Sequence, residues 1–140
     1  MDEVTVEAEA TVFETEDEAK VERSMRNVLP ESIIERFEGA DGRTILKARA
    51  KGMDSLNTFR TLLRMDRIRD AARAILTSST SGKIISFQLN KQVAYVKHIS
   101  FYDGEAKSPL GPIKIEIRCE NPKQLIDWLT AATGQRTEKS

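Results

Sequence analysis

The chain is poor in the residues on which most catalytic and metal-binding sites depend. Its 140 residues include one cysteine and one histidine. A single cysteine excludes a disulfide framework, and it excludes zinc sites built on several cysteines of one chain. Cys119 continues an alternating apolar series, which favours a small buried side chain over a reactive thiol. His98 has no local signature of a catalytic triad, so a solvent-facing or structural histidine is expected.

Long apolar runs and glycine-rich motifs are also missing. No run approaches the ~20 residues that a membrane-spanning helix needs, and the acidic N-terminus lacks the features of a signal peptide. The seven glycines form neither a G-x-G-x-x-G nor a Walker pattern. The acidic run Glu16-Asp17-Glu18 suits the start of a helix better than a cation site, because no EF-hand spacing follows it. We therefore expect a cytoplasmic protein that is not an enzyme and that needs no cofactor or metal.

Charge is balanced over the whole chain but not along it. The 22 basic and 22 acidic residues give a formal net charge of zero. Residues 1–42 hold 13 acidic and 4 basic residues, whereas residues 43–100 hold 12 basic and 3 acidic ones. Segments of opposite sign pair with each other in many folds, most often as neighbouring strands. The alternative is an exposed basic face that binds a polyanion.

Hydrophobic periodicity predicts both strands and helices. Alternation over 4–12 places Val4, Val6 and Ala8 on one face of a strand and leaves the other face wet. Thr15 with Glu18 forms a capping box for a first helix that Pro30 ends. Further strands are expected at 32–38, 43–51, 83–89, 92–98 and 113–119. Two helices are expected within 54–77, capped by Asp54 and Asp66, and a last one begins at Asn121-Pro122 and ends near Gly134.

This order, β-α-β-β-α-α-β-β-β-α, predicts an α+β fold. It is a two-layer sandwich with a mostly antiparallel sheet and helices on one face. Residues 1–134 are expected to form one domain, and 135–140 a frayed tail. The residues expected in the core are Val6, Ala8, Phe59, Leu63, Phe87, Ile115, Ile117, Trp128 and Leu129.

The basic residues carry the functional signal. Arginines stand four apart on each of the two helices within 54–77, and bases alternate along the strand at 43–51. Arginine suits phosphate because its planar fork donates paired hydrogen bonds. The candidate RNA-binding residues are Lys47, Arg49, Arg60, Arg64, Arg69 and Arg73. Glu7 and Glu9 would neutralise the two strand residues if their strands are neighbours. Aromatic residues make up only 6%, and no aromatic strand motif of the RRM type is present.

Four motifs together resemble an archaeal family of small uncharacterised proteins. They are Thr15-Glu16-Asp17-Glu18, Asn27-Val28-Leu29-Pro30, the segment from Phe87 to Ala94, and Pro109-Leu110-Gly111-Pro112-Ile113. The resemblance spans nearly the whole chain. It implies a fold like that of the ribosomal protein that binds 5S RNA, kinship with predicted exosome subunits, and an RNA role without catalytic residues.

Two main hypotheses follow for function. The first is a non-enzymatic RNA-interacting domain that contacts phosphates through a basic face. The second is an interaction or scaffold protein without nucleic acid that self-associates as a homodimer, since open sheet edges need protection and two-fold dimers are the commonest oligomers. An enzyme with a site assembled in space is a third, weaker alternative.

Overall fold

The computed structural model describes residues 3–102 and 111–131. The strands are β1 (Thr5–Val12), β2 (Ile33–Glu38), β3 (Thr44–Lys51), β4 (Thr80–Ser81), β5 (Ile84–Asn90) and β6 (Pro112–Arg118). The helices are α1 (Glu18–Val28), α2 (Asn57–Met65), α3 (Arg69–Ser78), α4 (Lys91–Tyr95) and α5 (Pro122–Leu129), and a 3-10 turn at Met53–Leu56 precedes α2.

All named strands join one antiparallel sheet in the order β2-β3-β1-β6-β5-β4. The first strand therefore lies inside the sheet, with β3 on one side and β6 on the other. The outer edge of β5 is covered by β4 and by residues 99–102, which bond to it through the Asn90 and Tyr102 amides. The edge strands of the described sheet are the six-residue β2 and the two-residue β4.

One hydrophobic core lies between the sheet and the helices. Alternate residues of β1, β3, β5 and β6 point into it, and the apolar sides of the helices pack against them. Phe59 of α2 stacks on Phe87 of β5 with ring centroids 5.5 Å apart. The predicted core is confirmed, with Trp128 half-buried at its margin. Cys119 is buried, as expected.

The α+β class, the six-stranded antiparallel sheet and the helical layer are confirmed. Two helices do occupy 54–77, and Asn121 caps α5 by accepting a hydrogen bond from the Gln124 amide. Gly134, the tail 135–140 and residues 103–110 lie outside the described residues.

Three predicted helix starts need correction. Asp17 caps α1 in place of Thr15, because its carboxylate accepts the Ala19 amide at 2.9 Å. Asp54 lies within the 3-10 turn, which has no side-chain cap. Asp66 ends α2 instead of starting α3, and its carboxylate is used elsewhere.

The strand predicted at 92–98 is wrong, because residues 91–95 form helix α4. Asn90 causes the change by accepting a hydrogen bond from the Val93 amide at 2.9 Å, which caps a new helix at the end of β5. Instead of a hairpin partner from 92–98, β5 gains the two-residue strand β4.

Candidate nucleic-acid interface

The open face of the sheet carries charges of both signs in cross-strand rows. Glu9 faces Lys47 on β3 and Lys114 on β6, while Glu7 faces Arg49. Arg49 also forms an ion pair with Glu35 of β2 at 3.1 Å. Lys47 lies over the Phe37 ring, 5.2 Å from its centroid. The acidic N-terminal strand thus neutralises the basic strand across the ladder, as the pairing alternative predicted.

A groove of about 690 Å³ lies on this open face. Its charged lining residues are Glu7, Glu9, Glu35, Glu116, Lys47, Arg49 and Lys114. Four carboxylates among three cations repel a polyanion as much as they attract it. The groove is a mixed-charge surface and not a basic face.

Three of the four candidate helical arginines hold α5 in place. Arg60 donates to the Trp128 carbonyl at 2.9 Å, and its guanidinium lies 4.9 Å from the centroid of that indole. Arg69 donates to the Ala131 carbonyl at 3.0 Å. Arg73 forms an ion pair with Asp127, which lowers the pKa of that carboxyl chiefly through the hydrogen bond. Two of these groups meet carbonyls at the C-terminal end of α5, where the helix dipole favours positive charge.

Arg64 is the remaining candidate, and its environment differs. It lies in the last turn of α2, and its half-buried side chain makes no hydrogen bond or ion pair with a residue in 3–102 or 111–131. Three residues further on, Arg67 is exposed and also has no side-chain partner in those ranges.

The end of α2 meets the end of α4 at one corner of the molecule. We define the helix-end corner as Arg64, Met65, Asp66 and Arg67 together with Tyr95, Val96, Lys97 and His98. One carboxylate of Asp66 joins the two ends: it accepts the Ile99 amide at 2.7 Å and Nδ1 of His98 at 2.9 Å. This carboxylate is largely buried, whereas His98 is exposed.

Both helices end in a Schellman motif with a cation at the left-handed position. At the end of α2, the Ile68 amide bonds to the Leu63 carbonyl, and Arg67 has φ +58°. At the end of α4, the His98 amide bonds to the Val93 carbonyl, and Lys97 has φ +67°. Glycine usually occupies this position, because a side chain there costs about 1–2 kcal/mol.

The corner is therefore both cationic and apolar at its surface. Arg64, Arg67 and Lys97 are close in sequence to Asp66 and His98, which bond to each other, and the Asp66 carboxylate also accepts the Ile99 amide. Met65 and Val96 are 67% and 59% exposed, and Tyr95 is also solvent-exposed. Cations beside exposed apolar and aromatic groups form a surface suited to nucleic acid.

Sequence reasoning missed Arg67, Tyr95 and Lys97. Asp66 predicted a helix start, so Arg67 appeared to be an ordinary helical residue, and 92–98 was assigned to a strand. The adjacent helix-end cations were visible in the sequence, but their meeting depends on the Asp66 contact with residues 98 and 99, more than 30 positions away.

Other kinds of site find little support in the described ranges. No group of three or more histidine, cysteine, aspartate or glutamate residues within 3–102 and 111–131 is placed to hold a metal ion. In those same ranges, no helix is both long enough and apolar enough to cross a membrane.

Comparison with known proteins defines the class. A family model described as RNA binding matches residues 5–119. A UPF0201 protein of Sulfurisphaera tokodaii is 45% identical over 128 residues, covering 91% of this chain and 87% of the relative. One from Pyrobaculum neutrophilum is 37% identical over 129 residues, covering 91% and 90%. The crystal structure of a Methanococcus jannaschii UPF0201 protein has a TM-score of 0.81 and 27% identity, covering 90% of this chain and 98% of that one.

These matches define a small α+β protein of an archaeal, RNA-binding-type family without an enzymatic name. The chain belongs to the UPF0201 family. The resemblance to an archaeal family of uncharacterised proteins is thereby confirmed. Kinship with the 5S-RNA-binding ribosomal protein and with exosome subunits stays a prediction.

Proposed function

We propose that this protein is a non-enzymatic RNA-binding domain that contacts phosphates at the helix-end corner. The observation that carries the proposal is the group Arg64, Arg67 and Lys97, whose side chains have no anionic partner among the described residues. The family description points to the same class of ligand. A cytoplasmic location follows from this proposal, since RNA is found there.

The chemistry of the corner favours phosphate over an isolated carboxylate. Two arginines offer planar forks that pair with phosphate oxygens, and Lys97 adds a point charge. Arg67 and Lys97, the two cations in the left-handed conformation, lie at helix C-termini. The partial negative charge there lowers the energy of the unbound cations by about 0.3–1 kcal/mol. That gain is smaller than the backbone cost of about 1–2 kcal/mol at each position. Function is a reason for retaining side chains that the backbone disfavours.

The other five candidate RNA-binding residues are less suited to contact RNA, because they already have partners within the fold. Lys47 and Arg49 lie among carboxylates, and Arg60, Arg69 and Arg73 hold α5. Binding RNA through them would break contacts within the fold. Their contact with RNA stays a prediction, and we assign the phosphate contacts to Arg64, Arg67 and Lys97.

A salt titration with matched variants tests this assignment. The variant Arg64→Gln/Arg67→Gln/Lys97→Gln is expected to bind a fluorescein-labelled oligouridine about 10- to 100-fold more weakly at moderate salt. The slope of log affinity against log salt should fall by about 2, since each lost phosphate contact on a single strand removes roughly 0.7. Fluorescence anisotropy gives both quantities.

The control carries the same change of charge elsewhere. Lys51→Gln/Lys114→Gln/Lys123→Gln removes three exposed cations outside the corner. Equal losses in the two triple variants would show that bulk charge, not the corner, governs binding. No binding by the wild type even at low salt would refute the RNA proposal itself.

Self-association through β2 is a second candidate, favoured by the exposed edge. Ile33 is 72% exposed, and Phe37 on the same face is also exposed. An antiparallel two-fold pairing centred on Glu35 would place Ile33 of each copy opposite Phe37 of the other. Apolar cross-strand pairs of this kind stabilise a sheet by roughly 0.2–1 kcal/mol each.

Sedimentation velocity across a wide concentration range tests this dimer. The wild type is expected to dimerise, and Ile33→Glu/Phe37→Glu to remain monomeric because four carboxylates would meet in the seam. Met65→Glu, at an exposed apolar residue outside β2, serves as the control and should dimerise normally. A wild type that stays monomeric at high concentration would rule out the dimer.

A further inference from the structure

A cavity of about 320 Å³ lies between α1 and α4, directly beside the helix-end corner. Its walls include Thr15, Lys20, Ser24, Gln92 and Tyr95. The volume is at the lower end of ligand pockets, which run from about 300 to 1,000 Å³. It suits one heterocyclic ring better than an extended chain.

The floor of the cavity is polar but electrically neutral. Lys91 and Glu16, with side chains 3% and 8% exposed, form an ion pair at 3.0 Å. Lys91 also donates to the Thr11 carbonyl at 2.7 Å, and its ammonium lies 5.3 Å from the centroid of the Phe13 ring. Because the two buried charges compensate each other, the floor offers no net attraction for a phosphate.

Free hydrogen-bonding groups are found at the rim. The Thr15 hydroxyl and the Gln92 amide are exposed and make no hydrogen bond with residues of 3–102 or 111–131. A primary amide both donates and accepts, which matches the edge of a nucleobase. The rim also carries Asp17 and Lys20, whose charges are opposite, so the cavity combines a neutral floor with a polar rim that has no net charge.

One wall of the cavity is the ring of Tyr95, and hydrogen bonds to the backbone at Tyr95 fix its position. Asn27 of α1 donates to the Ala94 and Tyr95 carbonyls, at 3.0 Å each, and so fixes the end of α4. Tyr95 is 36% exposed, and the Lys20 ammonium lies over its ring, 6.0 Å from the centroid, so a base that stacks on this face would move the flexible Lys20 side chain aside. An exposed ring with a displaceable cation near it is the kind of surface on which single-stranded bases stack.

The cavity and the helix-end corner are formed in part by neighbouring residues of the chain. Tyr95 and Lys97 are separated only by Val96, so their Cα atoms are at most about 7.6 Å apart. A nucleotide whose base meets Tyr95 would therefore have its phosphate near Lys97 and the rest of the corner.

We infer that the RNA ligand is single-stranded and that one of its bases enters this cavity and stacks on Tyr95. The inference rests on the proposed function, because the phosphates of the same strand occupy the helix-end corner. A duplex cannot bind in this way, since its bases are stacked and paired inside the helix. The ligand class is therefore an unpaired segment such as a loop or a tail.

Anisotropy with two labelled probes tests the inference. The probes are a 5′-fluorescein oligouridine and a fluorescein-labelled RNA duplex with the same number of phosphates. Tyr95→Ala is expected to weaken binding of the single strand by about 5- to 100-fold, the range for loss of one stacked base. Tyr95→Phe should stay within about twofold of the wild type, because the ring is kept. Binding of the duplex should not change in either variant.

Tyr102→Ala is the matched control, since it removes the other tyrosine, which lines the open-face groove. It should not change affinity for the single strand, and thermal melts should show that all variants fold. Equal loss with Tyr95→Ala and Tyr95→Phe would overturn stacking, and so would Tyr95→Ala binding both probes like the wild type. In that case the corner could still bind phosphate, whereas a failure of the wild type to bind either probe would refute the proposed function.

Discussion

Replacing Glu16 by leucine is expected to lower the free energy of unfolding by about 3–5 kcal/mol at neutral pH. The substitution leaves the buried Lys91 ammonium without its carboxylate and also removes the acceptor of the Phe13 amide. Lys91 still donates to the Thr11 carbonyl, but a buried charge that loses its counter-charge is expensive because the protein interior solvates it far less well than water. Urea denaturation of the wild type and the variant measures the loss.

Glu18→Leu is the matched control, because Glu18 forms an ion pair with Arg36 at 3.1 Å but is exposed to solvent. Its loss should be about 1 kcal/mol or less. The double variant Glu16→Leu/Lys91→Met should recover most of the stability, since an apolar pair can replace a buried ion pair at little cost. Equal losses for Glu16→Leu and Glu18→Leu would show that the buried ion pair contributes no more to stability than the exposed one.

The effect of Glu16→Leu should also shrink as the pH rises. Burial lowers the pKa of Lys91 in the folded protein, while the Glu16 hydrogen bond and charge oppose that shift. Without Glu16 the folded pKa falls further below the unfolded value. Between the two values the unfolded chain binds more protons, so stability rises with pH. Denaturation at about pH 7 and about pH 9.5 should show the variant regaining part of its loss.

Replacing Phe87 by alanine is expected to lower the free energy of unfolding by about 3–5 kcal/mol, through lost apolar burial and a cavity. Phe87 is 6% exposed and joins three parts of the fold. It lies on β5, stacks on Phe59 of α2, and meets the Phe101 ring edge-on with centroids 5.9 Å apart. Such ring pairs add about 0.5–1.5 kcal/mol beyond the area they bury.

Phe37→Ala is the control, because the same side chain is removed from the exposed edge strand β2. We expect a loss near the 0.5 kcal/mol that is typical of surface substitutions. Denaturation should be followed at low protein concentration, so that any pairing of β2 edges does not contribute. A loss for Phe87→Ala as small as that for Phe37→Ala would contradict its central place in the core.

Most of the sheet could be predicted because its strands alternate strictly. The predicted 113–119 differs from β6 by one residue at each end, and β1 begins one residue later than predicted. The structure of residues 92–98 could not be predicted from alternation. Local alternation competed there with an Asn90 cap, and the cap determines the structure.

The candidate site was harder to predict because it depends on distant partners. The spacing of Arg60, Arg69 and Arg73 indicates a basic helical surface, but not that the C-terminal end of α5 lies against it. Likewise, the acidic and basic segments could either pair or separate, and only the β1–β3 register decides between these outcomes. Sequence shows which charges exist, and tertiary contacts determine which are neutralised.

The central place of β1 has a consequence for the order in which the chain can fold. Thr5 pairs with Arg118, so β1 cannot complete its hydrogen bonds until the chain as far as Arg118 has left the ribosome. Until then β1, β2 and β3 can form a three-stranded unit in which β1 is an edge strand that is open to other nascent chains. Pairings of such long sequence separation also slow folding, to the millisecond-to-second range typical of non-local topologies. Completion of the sheet by β6 is thus both the late step in folding and the step that protects the protein from aggregation.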